Sequence, residues 1–300
     1  MSNTSTSTQT ETSEETSINH RLQYIDTDGF DVYIGVDEHE IHLTMYPDAP
    51  EQIRVLDGEG VAIEMARTNV GDILVFDDER FTDCFLQPAT DDVGNYYYIF
   101  THDHQKTNWA FRITEDGVYY LNNLGALVDL DNIPSIGWDN NGAWGNGRGY
   151  IFSRTLPMMK NTMLVGYGAD TFCLYFPHKD YVGKMNSVSF TENVNIVVDK
   201  PHNMYMGAWV GTGGISVLAL LAMFAIYAVQ SLSLYFKNRY ESTDFASYAG
   251  VGIFLGIVGF LTAALVDDSS VSVMPMFYAL LGTGIATNML LKRRAQNEEN

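Results

Sequence analysis

The sequence predicts an all-β extramembrane domain, an antiparallel sandwich or jelly-roll-like fold, followed by an α-helical three-pass transmembrane anchor. Two observations lead to this fold class. The last third of the chain contains three uncharged apolar runs separated by two short polar connections. The residues before it form many short segments rich in Val, Ile, Tyr and Phe, which Gly, Asp, Asn and Pro interrupt. Such segments are typical of antiparallel strands.

The three apolar runs cover residues 207–236, 247–266 and 272–291, within a membrane region predicted at 201–291. Roughly 20 apolar residues in a helix cross a hydrocarbon core of about 30 Å, so each run is long enough to span. The runs hold no Asp, Glu, Lys, Arg or His. Because ionisable side chains inside a membrane usually mark a proton or ion pathway, the runs argue against a pump or secondary transporter. The alternative is a buried helical core in a soluble protein, but uncharged runs of this length are rare in soluble folds.

Basic residues predict the orientation of the anchor. Lys237 and Arg239 lie in the first connection, and Lys292, Arg293 and Arg294 follow the third run in a short tail at 292–300. Three crossings place both groups on one side, whereas Asp267 and Asp268 fall on the other. Cytoplasmic loops carry an excess of Lys and Arg, so we expect the N-terminal domain outside and the C-terminus inside. No cleavable signal peptide is visible in the polar N-terminal arm.

Glycines recur at helical spacing in the apolar runs. Gly252, Gly256 and Gly259 lie on one helix face in the second run. Small residues let helices approach closely in lipid. We expect these three to pack against the other spans or against neighbouring copies of the chain.

Composition restricts the partners of the N-terminal part. The net charge is −20, and residues 1–200 hold 31 of the 37 acidic residues but 12 of the 17 basic ones. Such a surface repels phosphates, so no nucleic-acid partner is expected. The two cysteines, Cys84 and Cys173, each fall in a strand-like stretch, and they are either paired across a sandwich or two buried free thiols.

The domain organisation is a disordered Ser/Thr/Glu-rich arm at 1–19, then an acidic β-sandwich domain at 20–200. The arm has too few apolar residues to order itself. Strands are predicted across the domain at 30–36, 39–45, 52–56, 61–67, 72–76, 96–101, 109–114, 118–121, 150–155, 163–167, 171–176 and 188–198. Residues 129–149 are too polar and glycine-rich for a strand and are predicted to form a long exposed loop.

Two candidate sites arise from these patterns. Trp138, Trp144 and Tyr150, in and beside the 129–150 loop, would stack on a sugar ring or anchor a partner, or would lie against the sheet edge or lipid headgroups. The acidic spacing of Asp26, Asp28 and Asp31 around Gly29 resembles part of a calcium-binding loop, so calcium is a possible cofactor there. A solvated turn is the default interpretation of that acidic segment.

We find no motif of a known catalytic class, so we expect no enzyme activity. The combined pattern favours a membrane-anchored structural or attachment protein of a cell envelope or a viral membrane. Its head would assemble with itself or with a surface lattice, and its partners would be the bilayer and further copies or other envelope proteins. The alternatives are a surface receptor that binds a carbohydrate or other ligand through the 129–150 loop, and an accessory subunit of a membrane enzyme or channel.

Overall fold

The protein is described from a computed structural model. The structure describes residues 21–68, 71–103, 106–138, 141–187, 195–237 and 245–298. The chain divides into two compact units, Met1–Asp131 and Asn132–Asn300. The first contains all the strands in the described residues, and the second contains the α-helices. The predicted arm at 1–19 lies outside the described residues.

Two antiparallel sheets form the N-terminal unit. The four-stranded sheet has the order β1-β2-β3-β4, with β1 at Leu22–Asp28, β2 at Asp31–Val36, β3 at His39–Met45 and β4 at Ile53–Asp57. The seven-stranded sheet has the order β11-β10-β9-β8-β7-β6-β5, with β5 at Met65–Arg67, β6 at Leu74–Phe76, β7 at Cys84–Thr90, β8 at Tyr96–His102, β9 at Thr107–Ile113, β10 at Val118–Leu121 and β11 at Leu127–Val128.

Alternation along the strands builds the core of this unit, because successive side chains of a strand point to opposite faces. Ile41, Leu43 and Met45 of β3 are fully buried, and β9 buries Trp109 and Phe111 in the same way. The two sheets are joined by backbone hydrogen bonds at one edge. The Thr27 amide donates to the Leu130 carbonyl at 2.9 Å, and the Val118 amide donates to the Gly29 carbonyl at 2.7 Å.

Seven α-helices lie in the described residues of the C-terminal unit. They are α1 at Trp144–Asn161, α2 at Phe172–Tyr175, α3 at Tyr181–Met185, α4 at Met204–Thr212, α5 at Gly214–Leu232, α6 at Phe245–Ala263 and α7 at Met274–Glu298. A π-helical turn at Ser233–Lys237 extends α5. Residues 145–147 have left-handed backbone angles, so regular α1 begins at Arg148.

Three of these helices are long and apolar enough to cross a membrane, over Gly214–Phe236, Phe245–Ala263 and Met274–Asn297. This confirms the predicted helical anchor in its coarse form and indicates an integral membrane protein. The spans pack around a cluster of mainly aromatic side chains: Phe224, Tyr227, Phe254, Ile257, Phe277 and Leu281. The Phe260 and Phe277 rings stack with centroids 4.3 Å apart. The predicted start of the first span at Gly207 is wrong, because a separate helix, α4, precedes it.

The strand predictions between residues 30 and 121 coincide with strands of the structure, although β5 and β6 are shorter than predicted. Those further along the chain are wrong. Residues 150–155 lie in α1, residues 163–167 form no strand, and residues 171–176 include α2. Within the predicted strand 188–198, residues 188–194 lie outside the described residues, and residues 195–198 form no strand. A single β domain reaching residue 200 is therefore corrected to a β unit that ends at Asp131.

The α1 helix contains Pro157 in its interior, although proline disfavours this position in a helix. Proline has no amide hydrogen, so it leaves the carbonyl four residues earlier without its helical donor. In this structure the Ile136 amide donates to that carbonyl, at Ser153, with a distance of 3.0 Å. A neighbouring segment thus replaces the missing bond and the helix continues to Asn161.

Candidate functional site at the membrane interface

The α4 helix is separated from the first span by a glycine. Asn203 caps the start of α4, with its side-chain oxygen accepting from the amides of Tyr205 and Met206 at 3.0 Å. At Gly213 the backbone has φ 99° and ψ 156°, which breaks the helix before α5 starts. A Cβ at Gly213 would also lie 2.7 Å from the Leu164 carbonyl oxygen. Only glycine satisfies both the positive φ and this close approach.

The beginning of α4 is bonded to the end of α6. The Met204 amide donates to the Ala264 carbonyl at 3.0 Å, and the Tyr205 hydroxyl donates to the Leu261 carbonyl at 2.8 Å. The Asn203 side-chain amide adds a bond to the Leu265 carbonyl at 2.7 Å. Since α4 starts at the end of α6 and finishes at the beginning of α5, it crosses one end of the three-helix bundle. We call this end of the bundle, at which the chain coming from the N-terminal side enters the first span, the head-side end.

Two further polar contacts hold other segments to the head-side end. The Arg148 side chain, at the start of regular α1, donates from Nε to the Val266 carbonyl at 3.1 Å. His202 Nδ1 lies 2.7 Å from a carboxylate oxygen of Asp268. Together with the α4 bonds, they fix the connection between α6 and α7 against α1 and the start of α4.

A short segment at 162–168 runs along the junction of α4 and α5. The amides of Tyr167 and Gly168 donate to the carbonyls of Val210 and Gly211, each at 2.9 Å. The Gly214 amide donates to the Thr162 carbonyl at 3.1 Å. The break at Gly213 frees helical backbone groups, and this segment satisfies several of them. The segment is therefore held in one position on the helices.

A buried ionic cluster connects α1 with α3. Arg154 Nε lies 2.7 Å from a carboxylate oxygen of Asp180, and these side chains are only 10% and 7% exposed. The other oxygen of Asp180 accepts from the Gly183 amide at 2.9 Å and so caps α3. Gly183 leaves room for this pair, because a Cβ there would overlap the Asp180 carboxylate and the Arg154 guanidinium.

The buried Lys184 and the half-buried His178 complete this cluster. Lys184 is 2% exposed, and its Nζ donates to the His178 carbonyl at 2.9 Å. Burial lowers the pKa of Lys184, and the Asp180 charge partly opposes that shift. Burial also lowers the pKa of His178, whose Nε2 lies 2.7 Å from the Cys173 carbonyl oxygen. The cluster has the character of a structural core, with its charged groups directed at one another and at backbone atoms.

The three aromatic residues of the predicted ligand site separate into two environments. Trp138 and Trp144 are 40% and 51% exposed, and their ring centroids lie 6.4 Å apart with Phe152 beside both. Tyr150 is instead 2% exposed and packs in the core cluster with Phe176. Burial, followed by the Asp180 charge, raises the pKa of Tyr150 well above its usual range. Tyr150 therefore belongs to the core. Of the three predicted ligand-binding residues, the two tryptophans are the exposed ones.

The acidic segment at 26–31 forms a hairpin rather than a loop that surrounds an ion. Asp26 and Asp28 lie in β1, and Asp28 pairs directly with Asp31 of β2. Asp31 accepts from the Thr44 hydroxyl at 2.7 Å and lies 2.9 Å from His42 Nε2. Among the described residues, no three His, Cys, Asp or Glu side chains are placed to hold a metal ion. Calcium binding here stays a prediction without geometric support.

Charged residues elsewhere in the N-terminal unit also form structural pairs. Arg80 lies 3.0 Å from Asp57 and 2.7 Å from Asp78. The Val61 amide, followed by Arg80, lowers the pKa of Asp57, and the Arg80 side chain does the same for the pKa of Asp78. Cys84 and Cys173 are both free thiols.

The predicted packing glycines do not contact the other spans. A Cβ at Gly252, Gly256 or Gly259 would meet no atom within 4 Å, so this face of α6 is open. The glycines that admit neighbouring helices are Gly250 and Gly284, where a Cβ would overlap the hydroxyls of Tyr235 and Tyr227. The prediction that Gly252, Gly256 and Gly259 pack between helices of one chain is therefore wrong. Their packing against another copy of the chain stays a prediction.

The residues used to predict orientation fall at opposite ends of the bundle. The Tyr235 hydroxyl donates to Asn288 at 2.6 Å, which places the end of α5, near Lys237, beside the part of α7 that leads to Lys292, Arg293 and Arg294. Asp267 and Asp268 lie at the head-side end. Arg239 lies outside the described residues.

Sequence reasoning missed the segments that shape the head-side end. The signals were present, since Asn203 is a typical helix cap and three glycines at 211, 213 and 214 interrupt the first apolar run. No protein-family model matches the chain, and neither a curated protein nor a solved structure shows significant similarity to it.

Proposed function

We propose that this protein is a membrane-anchored structural or attachment protein of a cell envelope or a viral membrane. Its β unit, taken as an acidic sandwich, assembles with itself or with a surface lattice. The observation that carries this proposal is the set of bonds at the head-side end, where α1 and α4 are held to the carbonyls of Leu261, Ala264, Leu265 and Val266. An anchor fixed in this way suits a protein that holds a domain at a membrane.

The proposed orientation has the N-terminal unit outside and the C-terminus inside. It is supported by the basic residues Lys237, Lys292, Arg293 and Arg294 at the end of the bundle opposite Asp267 and Asp268. Basic residues favour the cytoplasmic side.

Assembly is testable from the size of the full chain in a mild detergent. We expect light scattering to give a defined oligomer whose association weakens in Gly256→Leu, because the open glycine face of α6 offers a close approach to a second copy. Val258→Leu is the matched control, since Val258 is exposed on the same helix in a different direction. That variant should keep the oligomer.

Other outcomes would replace this proposal. A monomer at all concentrations, with glycan binding that disappears in Trp138→Ala and Trp144→Ala, would favour the surface receptor. The exposed tryptophan pair is the observation behind that second candidate. Co-purification with other membrane proteins at a fixed ratio would favour an accessory subunit.

A further inference from the structure

An exposed apolar surface lies beside the first span without being part of any span. Its members are Met163, Leu164 and Val165, which are 60%, 72% and 76% exposed. Leu174 and Tyr175, at the end of α2, are 77% and 51% exposed. We call these five residues the apolar edge. Soluble surfaces seldom expose contiguous apolar groups of this kind without a partner.

The backbone fixes the position of the apolar edge relative to the bundle. The carbonyl oxygens of Met163 and Leu164 lie 2.8 and 2.7 Å from where a Cβ would stand on Gly214 and Gly213. Residues 163 and 164 therefore run directly against the first turn of α5. Exposed apolar side chains near the start of that helix include Ile215 and Leu218, at 58% and 60% exposed. The apolar edge thus adjoins the start of a candidate span that carries exposed apolar side chains.

We infer that the apolar edge enters the outer part of the bilayer on the head side of the membrane, as a shallow contact in addition to the three spans. This inference rests on the proposed membrane anchor. Residues 161–169 carry no Asp, Glu, Lys or Arg, and the exposed Asp170 that follows them stays in water. The Tyr167 and Tyr175 rings stack with centroids 4.0 Å apart, and tyrosine is enriched at the headgroup level.

Backbone hydrogen bonds hold both ends of this segment to the helices. Irregular backbone needs polar partners near hydrocarbon, so a shallow depth, where water still reaches residues 163–165, fits this segment. In this segment the amides of Tyr167 and Gly168 donate to α4, and the carbonyl of Thr162 accepts from Gly214. Lipid is the favoured occupant because the apolar edge extends the surface of α5.

The test places an environment-sensitive thiol label at the apolar edge of the full chain in phosphatidylcholine vesicles. Leu164→Cys and Val165→Cys are made in a Cys173→Ser background, in which the remaining native thiol, Cys84, is 1% exposed. Leu255→Cys, exposed in the middle of α6, is the reference within lipid, and Val93→Cys, 87% exposed in the β unit, is the reference in water.

We expect the labels at 164 and 165 to emit at shorter wavelength than the label at 93. Lipids with a spin label near the headgroup should quench them severalfold more strongly than lipids with a spin label deep in the acyl chain. A water-like emission quenched by iodide would overturn the inference. So would a shifted emission that no spin-labelled lipid quenches, since the surface would then be covered by protein. Failure of the Leu255 label to be quenched by lipid would instead contradict the membrane anchor itself.

Discussion

Replacing Asp180 by alanine is expected to destabilise the α1–α3 region by about 3–5 kcal/mol, the usual cost of removing one partner from a buried ion pair. Asp180 is the carboxylate that Arg154 contacts at 2.7 Å, and it also caps α3 through the Gly183 amide. Its loss leaves a guanidinium in a site where both side chains are at most 10% exposed. The measurement is the thermal midpoint of helical circular dichroism in detergent, which should fall by roughly 10 °C.

The matched control is Arg67→Gln, which removes an exposed ion pair. Arg67 and Asp72 are 3.7 Å apart and 64% and 72% exposed. Exposed pairs of this kind contribute about 0–1 kcal/mol, so this variant should melt like the parent protein. The double variant Arg154→Met with Asp180→Ala should recover part of the loss, because the Arg154 guanidinium is then no longer buried without its carboxylate. If Asp180→Ala melts like Arg67→Gln, the buried cluster does not stabilise this unit.

Replacing Gly284 by leucine is expected to disrupt the packing of the three spans. A side chain at this position overlaps the Tyr227 hydroxyl and would also displace Ile253 of α6. Overpacking a close contact costs about 1–3 kcal/mol. Gly250→Leu should act similarly through Tyr235, whose hydroxyl donates to Asn288, while Asn288 donates to Ser231 at 2.8 Å.

The control is Gly282→Leu, two residues away on the same helix, where an added Cβ meets no atom within 4 Å. Unfolding in increasing sodium dodecyl sulfate, followed by loss of helix–helix contact, should show a lower midpoint for Gly284→Leu and Gly250→Leu only. Equal midpoints for Gly284→Leu and Gly282→Leu would show that α7 does not approach α5 as described.

The predictable parts of the fold are the strands with regular alternation of apolar and polar residues and the spans with long uncharged runs. Alternation over His39–Met45 and Val118–Leu121 identified β3 and β10 with their observed bounds. The uncharged runs identified three spans because length and composition alone decide whether a helix crosses lipid. In contrast, the run that begins at Tyr150 is short and buried around much of its helix, so its pattern does not distinguish strand from helix.

The candidate sites were less predictable because they depend on which face of an element meets a neighbour. Tyr150 and Trp144 are close in sequence, yet one lies in the core and the other at the surface. Gly250 and Gly252 are equally small, and only the direction of α6 relative to Tyr235 decides which one is a contact. The buried Arg154–Asp180 pair joins residues 26 positions apart, which spacing in the sequence does not reveal.

We propose that the three-pass anchor holds the two ends of the chain on opposite sides of a membrane. The most direct test adds protease to sealed vesicles that carry one epitope before residue 21 and another after residue 300. Protease added to the outside should remove the N-terminal epitope and leave the C-terminal epitope intact until the membrane is opened. Loss of both epitopes from the same side of an intact membrane would contradict the account.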